Sequence, residues 1–171
     1  MDARGHLRNG DAHVLMRLSI VAVGRLRPGP ELSLVSDYLQ RAERSGRPLG
    51  ISSASVIEVD DRKGGGKAGE AALIRKALPR GARLVCLDER GKVIGSPDFA
   101  QRIADWRDTG TQDIAFVIGG ADGIDPELVA EADFTLSFGK MVWPHMLVRV
   151  MLSEQIYRAV SILAGAPYHR A

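Results

Sequence analysis

Residues 113–118, Asp-Ile-Ala-Phe-Val-Ile, constrain this chain more than any other segment, because five consecutive apolar side chains end abruptly at a glycine pair. A strand that is apolar on both faces belongs in the middle of a sheet covered on both sides. Shorter apolar runs at 18–23, 52–59, 83–88 and 134–138 alternate with helical patterns. That alternation predicts an α/β fold, a mostly parallel sheet flanked by helices. Caps and breakers mark the helices. Pro30 opens one that stops near Gly46, and a second covers about 68–78 before Pro79. Ser96-Pro97-Asp98 reads as N-cap, first position and an acid facing the positive helix end, and Asp125-Pro126-Glu127 repeats the pattern. Glu89-Arg90-Gly91-Lys92 reads as a turn. The last helix spans about 144–164.

A chain of 171 residues, 45% hydrophobic and 26% charged, is the size and make-up of one globular domain. Cys86, the only cysteine, sits inside an apolar run, which excludes an internal disulfide framework and points to a reducing compartment. No apolar stretch has bilayer length, and the start is polar, so a cytosolic protein without a membrane partner is expected. The formal charge of +2 neither requires nor excludes a nucleic-acid partner, since binding depends on clustered cations.

Several constellations could carry chemistry. Gly119-Gly120-Ala121-Asp122-Gly123 follows the central strand, where ligands of parallel sheets bind. It is either a ligand loop or a tight turn before the next helix. It is not G-x-G-x-x-G, and the first strand ends on Gly24 alone, which disfavours a dinucleotide enzyme. Gly64-Gly65-Gly66-Lys67 lacks the earlier glycine and the following Ser or Thr of a P-loop. Residues 137–145 put Met141, Val142 and Trp143 in a loop, a mixture suited to a small-molecule pocket, although Trp143 could instead wedge the next helix onto the sheet.

The last helix carries two apolar stripes, Val148, Leu152, Ile156, Ala159 and Leu163, and Met146, Val150, Tyr157 and Val160. The second stripe is covered either by another copy of the chain or by the chain's own loops. Arg149 and Ser153 fall between the stripes, so Arg149 is either a functional interface residue or half of a structural ion pair. Glu154 and Arg158 read as a solvated i,i+4 pair. The terminal Tyr168-His169-Arg170 combines an aromatic, an imidazole and a guanidinium, the groups that unpaired RNA engages, or it is a frayed end. His6, His13, His145 and His169 lack metal-ligand spacing, and no nucleophile with a nearby base is legible.

Leu87-Asp88 with Gly91-Lys92, the 117–123 run, Leu136-Ser137-Phe138, Pro144-His145, Arg149-Val150, the 154–159 run and Tyr168-His169-Arg170 together resemble the RlmH family over residues 17–170. These are SPOUT-class methyltransferases acting on N3 of a pseudouridine in large-subunit (23S) ribosomal RNA. The resemblance implies a homodimer whose C-terminal part forms a trefoil knot that binds S-adenosylmethionine, with no metal. Connection rules alone would give an unknotted sheet. Carried over by position, Leu87, Gly119, Phe138, Gly139, Lys140, Met141, Val142 and Trp143 are expected at the cofactor. Tyr168, His169 and Arg170 are expected at the substrate end, reaching the partner subunit's pocket. There His169 would accept the N3 proton or Arg170 would stabilise the developing anion, with Tyr168 orienting the base. The family acts on assembled ribosomes. Residues 1–15 precede the usual family start and are expected to be a disordered extension or a start-site artefact, ahead of a single domain at 16–171. A SPOUT enzyme acting on transfer RNA and a non-catalytic ribosome-associated RNA binder are the alternatives.

Overall fold

The computed structural model describes residues 15–60, 62 and 64–170. The expectation for residues 1–15 therefore falls almost wholly outside the described residues. Strands β1 (Met16–Val23), β2 (Ile51–Val59), β3 (Arg83–Lys92), β4 (Asp113–Ile118) and β5 (Phe134–Leu136) alternate with helices α1 (Pro30–Gly46), α2 (Gly66–Ala77), α3 (Ser96–Asp108), α4 (Pro126–Glu131) and α5 (His145–Leu163). The sheet order is β2-β1-β4-β3-β5, and every pair is parallel.

The apolar run at 114–118 is the centre of the sheet, and all six residues of β4 are buried. Its period of two serves both layers. Ile114, Phe116 and Ile118 face the core shared with α1, α3 and α5, whereas Ala115 and Val117 face the core under α2 and α4. β1 repeats the division, with Leu18, Ile20 and Ala22 on the first side and Val21 and Val23 on the second. At the far ends of these central strands Arg17 donates a bidentate pair to Asp113, Nε to Oδ1 at 2.9 Å and Nη2 to Oδ2 at 2.8 Å.

Two local expectations change. The 89–92 turn is part of β3, which continues beyond the sheet and bends around β5. Leu136 pairs with Leu87 on one side and Lys92 on the other. Ser137 N donates to Lys92 O at 2.9 Å, and a Cβ on Gly91 would stand 2.6 Å from Thr135 O. The end of β5 thus runs close against the 87–92 segment at both Leu87 and Lys92. At α3, Gly95 rather than Ser96 is the cap residue, because the Ser96 hydroxyl is committed to Gln155 Oε1 at 2.7 Å. The Asp125 cap is present, its Oδ1 accepting from Glu127 N at 2.9 Å.

Helix α5 lies between α1 and α3 on the sheet. Leu152, Ile156 and Ala159 of its first stripe are buried in the core. The second stripe is covered by the chain at its C-terminal end, where Val160 is fully buried and Tyr157 packs on Tyr38 of α1 with ring centroids 6.3 Å apart, while Met146 is exposed. No helix among the described residues is long and apolar enough to cross a membrane.

Candidate active site

Because the sheet is parallel, the loops that follow β3, β4 and β5 emerge at one edge, and there they enclose a cleft of about 410 Å³. Leu87, Ile118, Leu136 and Phe138 form its apolar floor, and the 119–124 loop forms one wall. That wall is tight. A Cβ at Gly119 would meet Gly123 backbone at 2.6 Å, so the loop closes only around glycine. Met141, Val142 and Trp143 form the opposite wall and remain 74%, 83% and 40% exposed. Ser137 shapes this segment, its hydroxyl accepting from Gly139 N at 3.0 Å and lying 3.0 Å from Glu89 O, while Gly139 takes φ +108°. Trp143 is therefore a pocket residue rather than a wedge under α5.

Carboxylates from Asp88, Glu89 and Asp122 and cations from Lys67 and Arg90 ring the cleft. The Arg90 side chain, hydrogen-bonded to Asp88 at 3.2 Å, holds that carboxyl below the usual carboxylate range, so it is charged at neutral pH. Cys86 lies just beneath, but burial pushes its thiol up to about 12, which removes it as a nucleophile.

Seven of the eight residues expected at the cofactor, Leu87, Gly119, Phe138, Gly139, Met141, Val142 and Trp143, line this cleft; the side chain of Lys140 is exposed and lies outside its lining. The rim groups Asp88, Glu89 and Lys67 have no site role in the sequence reading, although Asp88 belongs to a motif of the resemblance. A signal for the first existed in the Asp-x-Arg spacing at 88–90, where Arg90 N donates to Asp88 Oδ1 at 2.8 Å.

The tail is elsewhere. Tyr168 OH donates to Glu154 Oε1 at 3.0 Å, and Arg158 donates to the same oxygen from Nε at 2.9 Å and Nη2 at 2.6 Å. Arg158 Nη1 lies 3.2 Å from His169 Nδ1. A guanidinium only donates, so Nδ1 is the unprotonated nitrogen in this contact. The Tyr168 ring packs tilted against Tyr157, with centroids 4.6 Å apart. The terminus is therefore docked rather than frayed, and Glu154–Arg158 is a partly buried anchor rather than a solvated pair. Burial, with the Glu154 carboxylate, pushes the Tyr168 phenol up to about 12. Arg158 lies about 15 Å along the α5 axis beyond Val148, where the helix leaves the cleft. None of Tyr168, His169 and Arg170 lines the cleft of its own chain.

Arg149 is in the interior, its side chain 2% exposed, with Nη1 2.9 Å from Glu58 Oε2 and Nη2 donating to Gly24 O at 3.1 Å. The structural ion pair is the arrangement found: both terminal nitrogens are engaged, while Nε is buried without a hydrogen-bond partner. Among the described residues no group of side chains is arranged to hold a metal ion.

A family model described as "Predicted SPOUT methyltransferase" matches residues 16–169. The chain is 70% identical over 155 residues to "Ribosomal RNA large subunit methyltransferase H" from Ruegeria pomeroyi, covering 91% of this chain and 99% of the relative. The protein of that description from Roseobacter denitrificans is likewise 70% identical with the same coverage. A solved structure of a probable methyltransferase from Bordetella pertussis Tohama I aligns with 14% identity and a TM-score of 0.48, covering 85% of this chain and 96% of that one. A family model that spans nearly all of the chain, together with such identities over whole relatives, shows that the chain belongs to the SPOUT methyltransferases and, among them, to the RlmH family.

Proposed function

We propose that the protein is a homodimeric, S-adenosylmethionine-dependent enzyme that methylates N3 of a pseudouridine in 23S ribosomal RNA on the assembled ribosome, in the cytoplasm. The single observation that carries this reading is the separation of the cleft from the tail. The cleft suits a purine nucleoside bearing a cationic group, because an apolar floor and Trp143 adjoin the ionised Asp88. The groups suited to RNA are packed on α5 outside that cleft. A second copy of the chain unites them. The apolar side chains left open near the cleft, Met141, Val142, Met146 and Leu147, supply a surface for it.

When bound, S-adenosylmethionine would supply an electrophilic methyl group whose transfer leaves the bonding pair on sulfur and requires N3 to give up its proton. The chain's part is chiefly positioning and charge placement. Leu87, Gly119, Phe138 and the 139–143 segment hold the adenosine, with Lys140 at the edge. Arg170, exposed and making no ion pair among the described residues, stabilises the developing N3 anion. His169 can serve as base only after releasing Arg158, since its Nδ1 is occupied and its other nitrogen then carries hydrogen. Tyr168 stays protonated at neutral pH and orients the base.

The test is calorimetric titration with S-adenosylmethionine, followed by methyl transfer to ribosomes and bulk transfer RNA from a strain lacking the enzyme, with nucleoside mass mapping. Binding plus a methylated pseudouridine in 23S RNA is expected. Transfer only to transfer RNA, or no heat on titration, would replace the reading by one of its two alternatives.

A further inference from the structure

The β1–α1 loop is used by neither the cleft nor the tail, yet it is built with unusual care. Leu26 is 5% exposed and its N–H donates to Glu58 Oε2 at 2.7 Å. That oxygen also accepts from the buried Arg149, whose other terminal nitrogen holds Gly24 O. A charge from α5 is thus placed in the interior, at a desolvation cost, where it fixes this loop. On either side of the anchored Leu26, Arg25 and Arg27 are exposed. Neither has a hydrogen bond or ion pair among the described residues, whereas Arg17, Arg75 and Arg90 are each matched to a carboxylate.

The loop is also in the right place. All strand pairs are parallel, so it emerges at the sheet edge that carries the cleft, and β1 is the neighbour of β4. The end of β1, from which the loop departs, lies beside the cleft wall: a Cβ at Gly120 would stand 3.4 Å from Val23 Cγ1.

We propose that Arg25 and Arg27 form a phosphate clamp for the RNA strand that carries the target nucleoside, an inference that rests on the methyltransferase reading above. Guanidinium forks match phosphate oxygens, and contacts of this kind fix register without reading bases. A loop already held by Leu26 and Arg149 loses little freedom when it binds. Cations placed beside the cleft would hold the strand while its base enters.

The experiment compares the wild type with Arg25→Ala/Arg27→Ala and Arg25→Lys/Arg27→Lys in methyl transfer to unmodified large ribosomal subunits over a range of potassium concentrations. The alanine pair should raise KM for subunits tenfold or more and flatten the log–log salt dependence by about 1.5, the release expected for two phosphate contacts. Its affinity for S-adenosylmethionine should stay within twofold of wild type, and the lysine pair should keep most of the salt dependence. An alanine pair with unchanged KM, or with raised KM but unchanged salt dependence, would overturn the clamp. A wild-type enzyme inactive on ribosomal RNA would overturn the methyltransferase reading itself, and the clamp with it.

Discussion

Replacing Glu154 by Gln separates anchoring of the tail from binding of the cofactor. The substitution preserves shape and removes the charge that receives Arg158 Nε and Nη2 and the Tyr168 hydroxyl on one oxygen, at 2.9, 2.6 and 3.0 Å. Hydrogen bonds to a charged group contribute about 1.5–3 kcal/mol each in protected surroundings. The Glu154 and Arg158 side chains are 18% and 26% exposed, and Gln retains part of the bonding, so a net loss of about 2 kcal/mol in tail docking is expected. At about 1.4 kcal/mol per factor of ten, the ratio of docked to released tail falls roughly 30-fold. In methyl-transfer assays at saturating cofactor and ribosome, kcat should drop about tenfold or more. Affinity for S-adenosylmethionine, measured by calorimetry, should be unchanged, because Glu154 lies outside the cleft lining, about 9 Å along α5 beyond Val148. Hydrogen exchange at residues 165–170 should accelerate in parallel. Full kcat with a released tail would refute the reasoning, as would equal losses of cofactor affinity and rate.

Three further outcomes follow from the geometry. Gly91→Ala would place a Cβ 2.6 Å from Thr135 O and 2.7 Å from its carbonyl carbon, backbone atoms that cannot swing aside, so a loss of about 3 kcal/mol and a fall in Tm of several degrees are expected in thermal melts. Trp143→Ala removes the aromatic wall of the cleft, and calorimetry should show cofactor affinity roughly tenfold weaker with the melting temperature nearly unchanged. The Tyr168 phenol is raised in the folded state, so the stability it contributes is fully present below the ordinary tyrosine value near 10 and disappears as pH rises towards 12. Ultraviolet titration should accordingly show a tyrosine step near 12 in the wild type that is lost in Tyr168→Phe.

Much of the architecture was legible because local signals and burial agreed. The apolar run at 114–118 sits at the sheet centre, Asp125 caps its helix, and the glycine and Trp143 loops face one another across a cleft. What escaped reading depends on which segments meet in space. Gly91 looks like a turn residue in the sequence, but its lack of a side chain admits the backbone of β5. Periodicity marks Tyr157 and Val160 as apolar, yet it cannot say that α1, through Tyr38, covers the first of them. Ser96 has the composition of a cap, but Gln155, remote in sequence, claims its hydroxyl. Glu154 and Arg158 have the spacing of a surface pair, and only the returning tail shields them. The pairing of Arg149 with Glu58 crosses from the last helix to the second strand, a distance no local pattern encodes.

The central claim, that the cleft of one copy works with the tail of another, is tested most directly by mixing two inactive proteins. Trp143→Ala combined with Gly119→Val disables the cleft, and Arg170→Ala disables the tail. After dissociation and reassembly in equal amounts, half of the dimers should be mixed, each with one intact pairing of cleft and tail, so about a quarter of wild-type methyl transfer should return. If the mixture stays as inactive as its parents although mixed dimers are demonstrably present, cleft and tail act within one chain and the account is contradicted.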